Sequence, residues 1–414
     1  MAIIDNDILV LRELAHRYTQ IALTDRMRGL EYRTRAHNGL SIVRPLVNVF
    51  EVPWGELTSE PDLVLQCAET HARMLEQRLR MTLYQHKHFM ADLTLPPYFL
   101  VPVSLTGTGY GLSIDESVRH SDTGSDINSH SYNDQLPDIE SLDKIQMPCV
   151  GINETENQAN LHIAKQAFDG LMPVTMGGVG LYSAMWDIIP MLHGPNRVIE
   201  DLIDNPEYCH AAVNKFAEYF ESLHQQYEKL NVLEGKQYYV HCTPALTDEL
   251  PASDNDGNHV RLKDVWARGM AQIFAVVSPS MHDEFDLKYM KRLFDPCGLS
   301  YYGCCEPLDR KIGLLRKRFP NLRKISITPW ANVQHAAEEI GCDYVLSYKP
   351  NPGNVANEYN PDVVRSEIRN VLTACKTNGT PCEIILKDIS TIGGDVTRLS
   401  RWVDTVNETI DQFY

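Results

Sequence analysis

The chain has no apolar run near ~20 residues, the length a membrane-crossing helix needs. It also lacks a basic excess: 38 Lys and Arg stand against 55 Asp and Glu, a net charge of −17. A general binder of nucleic acid or of anionic membranes presents a basic face, so neither partner is expected. A small anionic substrate, which needs only a local pocket, stays open. The first residues, Met1 to Asp7, contain neither a basic stretch nor a long apolar core, so no signal peptide is expected there. The ten cysteines show no disulfide-framework spacing, no CxxC pair and no companion HExxH helix. Most thiols are therefore expected to be free and packed, in a reducing cytoplasm. No repeat of fixed period occurs. Gly107-Thr108-Gly109-Tyr110-Gly111 lacks the lysine and serine of a phosphate loop and reads as a flexible turn.

What is present is a large core and a regular alternation. Of 414 residues, 43% are hydrophobic, enough for one large domain or two ordinary ones. Eight short runs rich in β-branched and aromatic residues read as strands: 46–50, 98–103, 172–176, 238–242, 299–303, 324–328, 344–348 and 382–386. Helical stretches separate most of them, which implies a parallel sheet covered on both faces. The expected class is α/β, a (β/α)₈ TIM-type barrel spanning 1–414 as a single domain. A doubly wound open sheet is the alternative. Residues 1–40 read as a helical N-terminal extension, with Asp7 as N-cap of the first helix. A second helix is expected from Ser59-Glu60-Pro61, and a last one after Asp395 with Leu399, Trp402, Val403, Val406 and Ile410 on one stripe. Residues 273–277 fit a strand or a helix equally. Residues 113–144 form a polar, acidic insertion, read as a functional lid or a disordered insert.

Chemistry-bearing residues gather just after the expected strands. Tyr302-Gly303-Cys304-Cys305-Glu306-Pro307 places two soft ligands and one hard one at a strand end, and Glu306-Pro307 suggests a loop at the rim. Thiolates bind zinc well, and a catalytic zinc needs three protein ligands and one open position. Cys242 with Cys304 or Cys305, completed by His241, His282 or Glu284, is one such set. Adjacent residues on a strand point to opposite faces, so Cys304 and Cys305 act together only if Gly303 relaxes the backbone. Lys349 follows a strand and is placed to meet an anion. Lys387-Asp388 is either a structural ion pair or an acid/base pair. Trp186-Asp187 either lines a pocket or is a packed tryptophan beside a capping aspartate.

The order of several motifs resembles the uroporphyrinogen decarboxylase superfamily. They are Gly194 to His210, the Val277-Ser278-Pro279 loop with Glu284-Phe285, Tyr302-Gly303-Cys304-Cys305, and Leu386-Lys387-Asp388-Ile389-Ser390. The likeness covers roughly Met172 to the C-terminus. It implies a (β/α)₈ barrel. The decarboxylating branch carries an arginine-rich Met-Arg-Gln-Ala-Gly-Arg motif that is absent here. The other branch holds zinc-dependent methyltransferases that work with a corrinoid protein, among them O-demethylase components. In the register of its His-x-Cys motif, Tyr302 stands for the histidine, Cys304 matches the cysteine, and Asp388 stands for a later cysteine. The resemblance therefore implies methyl transfer from a small methylated substrate to a corrinoid protein, with zinc as Lewis acid. It favours Glu284 with Cys304 or Cys305 as metal ligands; the strand-end set adds Cys242, and Lys387 and Asp388 are expected as the catalytic residues. Trp54, Tyr182, Trp186 and Trp330 are then expected against the substrate. A homodimer is compatible with this reading. The alternatives are a metal-free decarboxylase and a non-catalytic corrinoid- or tetrapyrrole-binding protein.

Overall fold

The computed structural model describes residues 5–120 and 128–414. Seven strands form one parallel sheet: β1 (Leu46–Val49), β2 (Leu181–Ser183), β3 (Trp266–Gly269), β4 (Leu299–Tyr302), β5 (Leu322–Ile327), β6 (Val345–Tyr348) and β7 (Cys382–Leu386). Their order is β1-β7-β6-β5-β4-β3-β2, so the chain winds steadily round and its last strand lies beside its first. No ladder joins β1 to β2 among the described residues. In place of one there, Asp92 brackets Val47, donating to its carbonyl at 2.7 Å and accepting from its amide at 2.9 Å.

The two faces of this sheet differ chemically. One carries Val47, Val49, Ile325, Ile327, Leu346, Ile384 and Leu386 into the main core shared with the surrounding helices. The alternate positions are Asn48, Arg268, Tyr301, Lys324, Ser347, Glu383 and Lys387, all buried on the inner face. Burying charge there requires partners. Lys324 Nζ reaches Glu383 Oε2 at 2.9 Å and Thr243 Oγ1 at 2.8 Å, and Ser347 Oγ donates to Glu383 Oε1 at 2.6 Å. The lysine holds the Glu383 carboxyl far below the usual range although burial opposes it. Helices Asp5–Ala22 and Asp25–Asn38 form the expected extension, and Asn38 Nδ2 reaches back to Leu246 O at 2.7 Å, near this polar floor.

Several expected elements shift. Runs 98–103 and 172–176 pair only with each other, as Phe99–Val101 and Val174–Met176, outside the main sheet. Run 238–242 becomes a hairpin of Tyr239–Val240 and Thr243–Pro244. β2 and β3 take the places in the sheet, although Trp266-Ala267-Arg268-Gly269 carries a charge and a glycine that hide it from any apolar-run search. Residues 272–276 form a 3-10 turn. The helix expected from Ser59 starts at Thr70, because the Glu69 carboxylate accepts from Ala72 N at 2.8 Å; near Ser59 there is only a short turn, Pro61–Leu63. Asp7 lies inside its helix and instead receives the amides of Ala68 and Glu69. The last helix, Arg398–Ile410, buries the expected stripe. In the insertion, Glu116–Arg119 and Ser129–Tyr132 form an exposed hairpin, and its acidic stretch 121–126 lies outside the described residues. No helix among the described residues is long and apolar enough to cross a membrane.

Candidate active site

The C-terminal ends of the strands meet at one rim, where sheets of this kind carry their chemistry. Gly303 ends β4 with φ +97°, a conformation that favours glycine. A Cβ there would lie 2.3 Å from Leu308 Cδ1, so a side chain fits only if the buried Leu308 gives way. That turn cancels the strand alternation and brings the Cys304 and Cys305 sulfurs to 3.7 Å. Behind them, the buried Glu306 carboxylate accepts from Cys304 N at 2.9 Å and Ala271 N at 3.1 Å. It ties the ends of β3 and β4 together. Glu306, expected at the rim as a hard ligand, is thus a buried brace.

Lys387 and Asp388 arrive from the end of β7. Lys387 Nζ lies 3.1 Å from Cys304 Sγ, 3.6 Å from Cys305 Sγ and 2.6 Å from Asp388 Oδ2. Asp388 Oδ2, 3.3 Å from Cys305 Sγ, is the alternative acceptor for the one Cys305 proton that otherwise turns to Cys304. From the end of β1, Glu51 Oε2 accepts from Asp388 N at 3.0 Å, and His241 Nε2 stands 3.9 Å from Glu51 Oε1. Glu51, His241 and Asp388 all have φ between +52° and +56°. Each such residue stores on the order of 1–3 kcal/mol, and such strain clusters at functional sites. Three such residues, linked through Glu51, mark this rim more sharply than any one contact.

The electrostatics select one thiolate. A hydrogen bond from Cys305 pulls the Cys304 pKa down to about 3 against burial, with His241, Arg268 and Lys387 adding to the pull. The same hydrogen bond, with burial, pushes Cys305 far up, so the pair is one thiolate and one thiol. Burial opposes the Lys387 charge, but Cys304, Cys305 and Asp388 hold it above the ordinary lysine range. Burial, together with the contact to Asp388, raises Glu51. Arg268 is buried below the thiolate, 4.4 Å over the Tyr301 ring, with no carboxylate in ion-pair reach among the described residues. Tyr182, 42% exposed, covers it from the solvent side and leans on His241 at 5.4 Å. Asp187 follows β2 in the first turn of helix Met185–His193, and burial lifts its carboxyl to about 6.

The expected site is therefore assembled in part. Cys304, Cys305, Lys387, Asp388 and Tyr182 come together. Cys242 is buried on the inner face and touches neither sulfur of the pair. Glu284 sits 3.3 Å from His210 Nε2, its side chain 56% exposed, and makes no contact with the thiol cluster among the described residues. Glu284→Ala is accordingly expected to leave turnover within about twofold, since surface changes away from a site move little; steady-state kinetics check this. Trp186 is fully buried, packed on Phe274 and donating to Phe285 O at 2.9 Å, so it faces the core and no substrate. Trp54 packs on Tyr84 and lines a groove with Thr58, Leu63 and Arg80, which none of the thiol cluster shares. Trp330 is 69% exposed on the loop after β5. Lys349 is buried against Ser347 Oγ at 2.7 Å. Tyr302 points to the outer face, bonded to His282 and Asp286, so the histidine near the thiolate is His241.

Among the described residues, no three His, Cys, Asp or Glu side chains are arranged to hold a metal ion. The point on which Cys304, Cys305 and Asp388 converge carries the Lys387 ammonium. As arranged, the residues do not fit a metal shell.

No protein-family model matches the chain, and no curated protein sequence does. Among solved structures, a methyltransferase from Methanosarcina mazei is similar over 93% of this chain and 99% of its own, with a TM-score of 0.50 and 12% identity. At that identity the likeness speaks for the fold.

Proposed function

We propose that this chain is an enzyme that moves a methyl group from a small methylated donor, such as an aryl methyl ether, to the corrinoid of a partner protein. We read its sheet as a TIM-type barrel, built as one domain and open between β1 and β2. The observation that carries the reading is the ammonium of Lys387, held at the rim by a thiolate and a carboxylate. The likeness to a methyltransferase fold supports it.

In such a transfer the bond between heteroatom and methyl carbon breaks, and its electron pair stays on the heteroatom. The reduced corrinoid would supply the nucleophile. The chain must stabilise the leaving anion, and preorganised cations in a buried site do this well. Lys387 offers that charge, the leaving anion taking the place of its longest contact, Cys305 Sγ at 3.6 Å, with Asp388 fixing the ammonium's position and Arg268 adding a second cation beneath. Tyr182 forms an aromatic wall, and the exposed Trp330 leaves an apolar contact at the rim for substrate or partner. Asp187 can return a proton to the leaving heteroatom.

A proton donor whose carboxyl titrates near 6 is competent below that pH and ionised above it. Turnover is expected to fall with rising pH through about 6, approaching tenfold per pH unit, and Asp187→Asn should remove that limb. A pH–kcat profile of both proteins checks this. The function itself is tested by incubating the full chain with a reduced corrinoid protein and a panel of methylated donors. Demethylated product is the expected result; no product from any donor would remove the proposal.

A further inference from the structure

A lysine ammonium has three N–H donors and no acceptor. Lys387 Nζ has three acceptors about it: Cys304 Sγ at 3.1 Å, Cys305 Sγ at 3.6 Å and Asp388 Oδ2 at 2.6 Å. The valence of the ammonium matches the number of acceptors. Two soft sulfurs and one carboxylate are also the donor types a zinc ion takes. A dication cannot share that point, since like charges a few ångströms apart in a buried setting repel by several kcal/mol.

The backbone is bent to make this arrangement. Consecutive residues of a strand point to opposite faces. Lys387 and Asp388 nevertheless meet, because Asp388 adopts φ +56° and its amide is held by Glu51. Gly303 does the same for the two cysteines. Two separate backbone devices thus gather the three acceptors round one cation, and the chain provides that cation.

We infer that Lys387 is a built-in replacement for a bound metal ion, so that the three acceptors form a cation site already filled from within the chain. This goes beyond methyl transfer and stands independently of it. One consequence is specific: removing the ammonium opens a site for a soft dication that the unaltered chain does not take up.

The test uses the full chain exposed to zinc chloride, dialysed, and measured for metal by mass spectrometry. The unaltered protein is expected to hold well under one zinc per chain. Lys387→Ala is expected to hold about one, and the added change Cys304→Ser should abolish it. Lys387→Arg, which keeps the charge, should stay empty. Cobalt(II) in place of zinc gives a second readout, a thiolate-to-metal absorption band in Lys387→Ala alone. Lys387→Ser replaces the alanine variant if circular dichroism shows that one unfolded. Zinc near one per chain in the unaltered protein, lost in Cys304→Ser, would overturn the inference, as would a folded Lys387→Ala or Lys387→Ser that takes up none. A protein that takes up no zinc and transfers no methyl group leaves this inference intact and removes the functional proposal; one that binds zinc and transfers methyl does the reverse.

Discussion

Lys387→Met is expected to lower kcat for methyl transfer by about 10³-fold, near 4 kcal/mol of transition-state stabilisation. Methionine keeps a stem of similar volume, so packing against the strand end survives and the charge alone is lost. KM should move far less than kcat, because the leaving anion forms only in the transition state. Lys387→Arg should recover part of the rate, although the five donors of a guanidinium lie in one plane and cannot copy the tetrahedral spread of an ammonium. Steady-state kinetics on the three proteins read this directly. Equal loss in the arginine and methionine variants would mean that shape matters here and charge does not.

Gly303→Ala is expected to be the most damaging single substitution for the fold near the site. An alanine there meets Leu308 Cδ1 at 2.3 Å and Ser326 Cβ at 3.2 Å, and φ +97° is strained for any side chain. Overpacking and strain together should destabilise the chain by about 2–4 kcal/mol. The midpoint of urea unfolding measures that loss. The same change should part the two sulfurs, so Cys304 should react more slowly with iodoacetamide at neutral pH, since the thiolate is the reacting form. Gly313→Ala is the matched control. A Cβ there meets nothing within 4 Å, and the residue lies in helix Ile312–Arg318, so stability should hold or rise. A Gly303→Ala protein as stable as this control would contradict the account of the turn.

The sequence reveals more of the fold than of the site's wiring. Five of the sheet strands, β1 and β4 to β7, lie in apolar runs that any period-based reading finds. β2 and β3 escape it for opposite reasons. β2 spans only Leu181–Ser183, and β3 carries Arg268, whose charge is tolerated because it faces the inner side of the sheet over an aromatic ring. The two apolar runs at 98–103 and 172–176 mislead because apolar content marks burial, and these pack against the helices Asp5–Ala22 and Glu154–Phe168 in a second core. Cys304, Cys305, Lys387 and Asp388 are legible as chemistry following strands. Their convergence is not, since it depends on positive φ at Gly303 and Asp388. Gly303 hints at this; nothing in the sequence announces it for Asp388, Glu51 or His241. Glu284 and Trp186 mislead because residue type carries no direction: one is exposed beside His210 and the other points into the core. Asp187 and Arg268 gain their interest only from burial, which no local spacing reveals.

The central claim is that the cation held by Cys304 and Asp388 at this rim drives methyl transfer. The most direct test follows an isotopically labelled methyl group from an aryl methyl ether into the corrinoid fraction, with the unaltered chain and Lys387→Met side by side. The account predicts label in the corrinoid with the unaltered chain and about 10³-fold slower labelling with the variant. Equal labelling by the two proteins would contradict it.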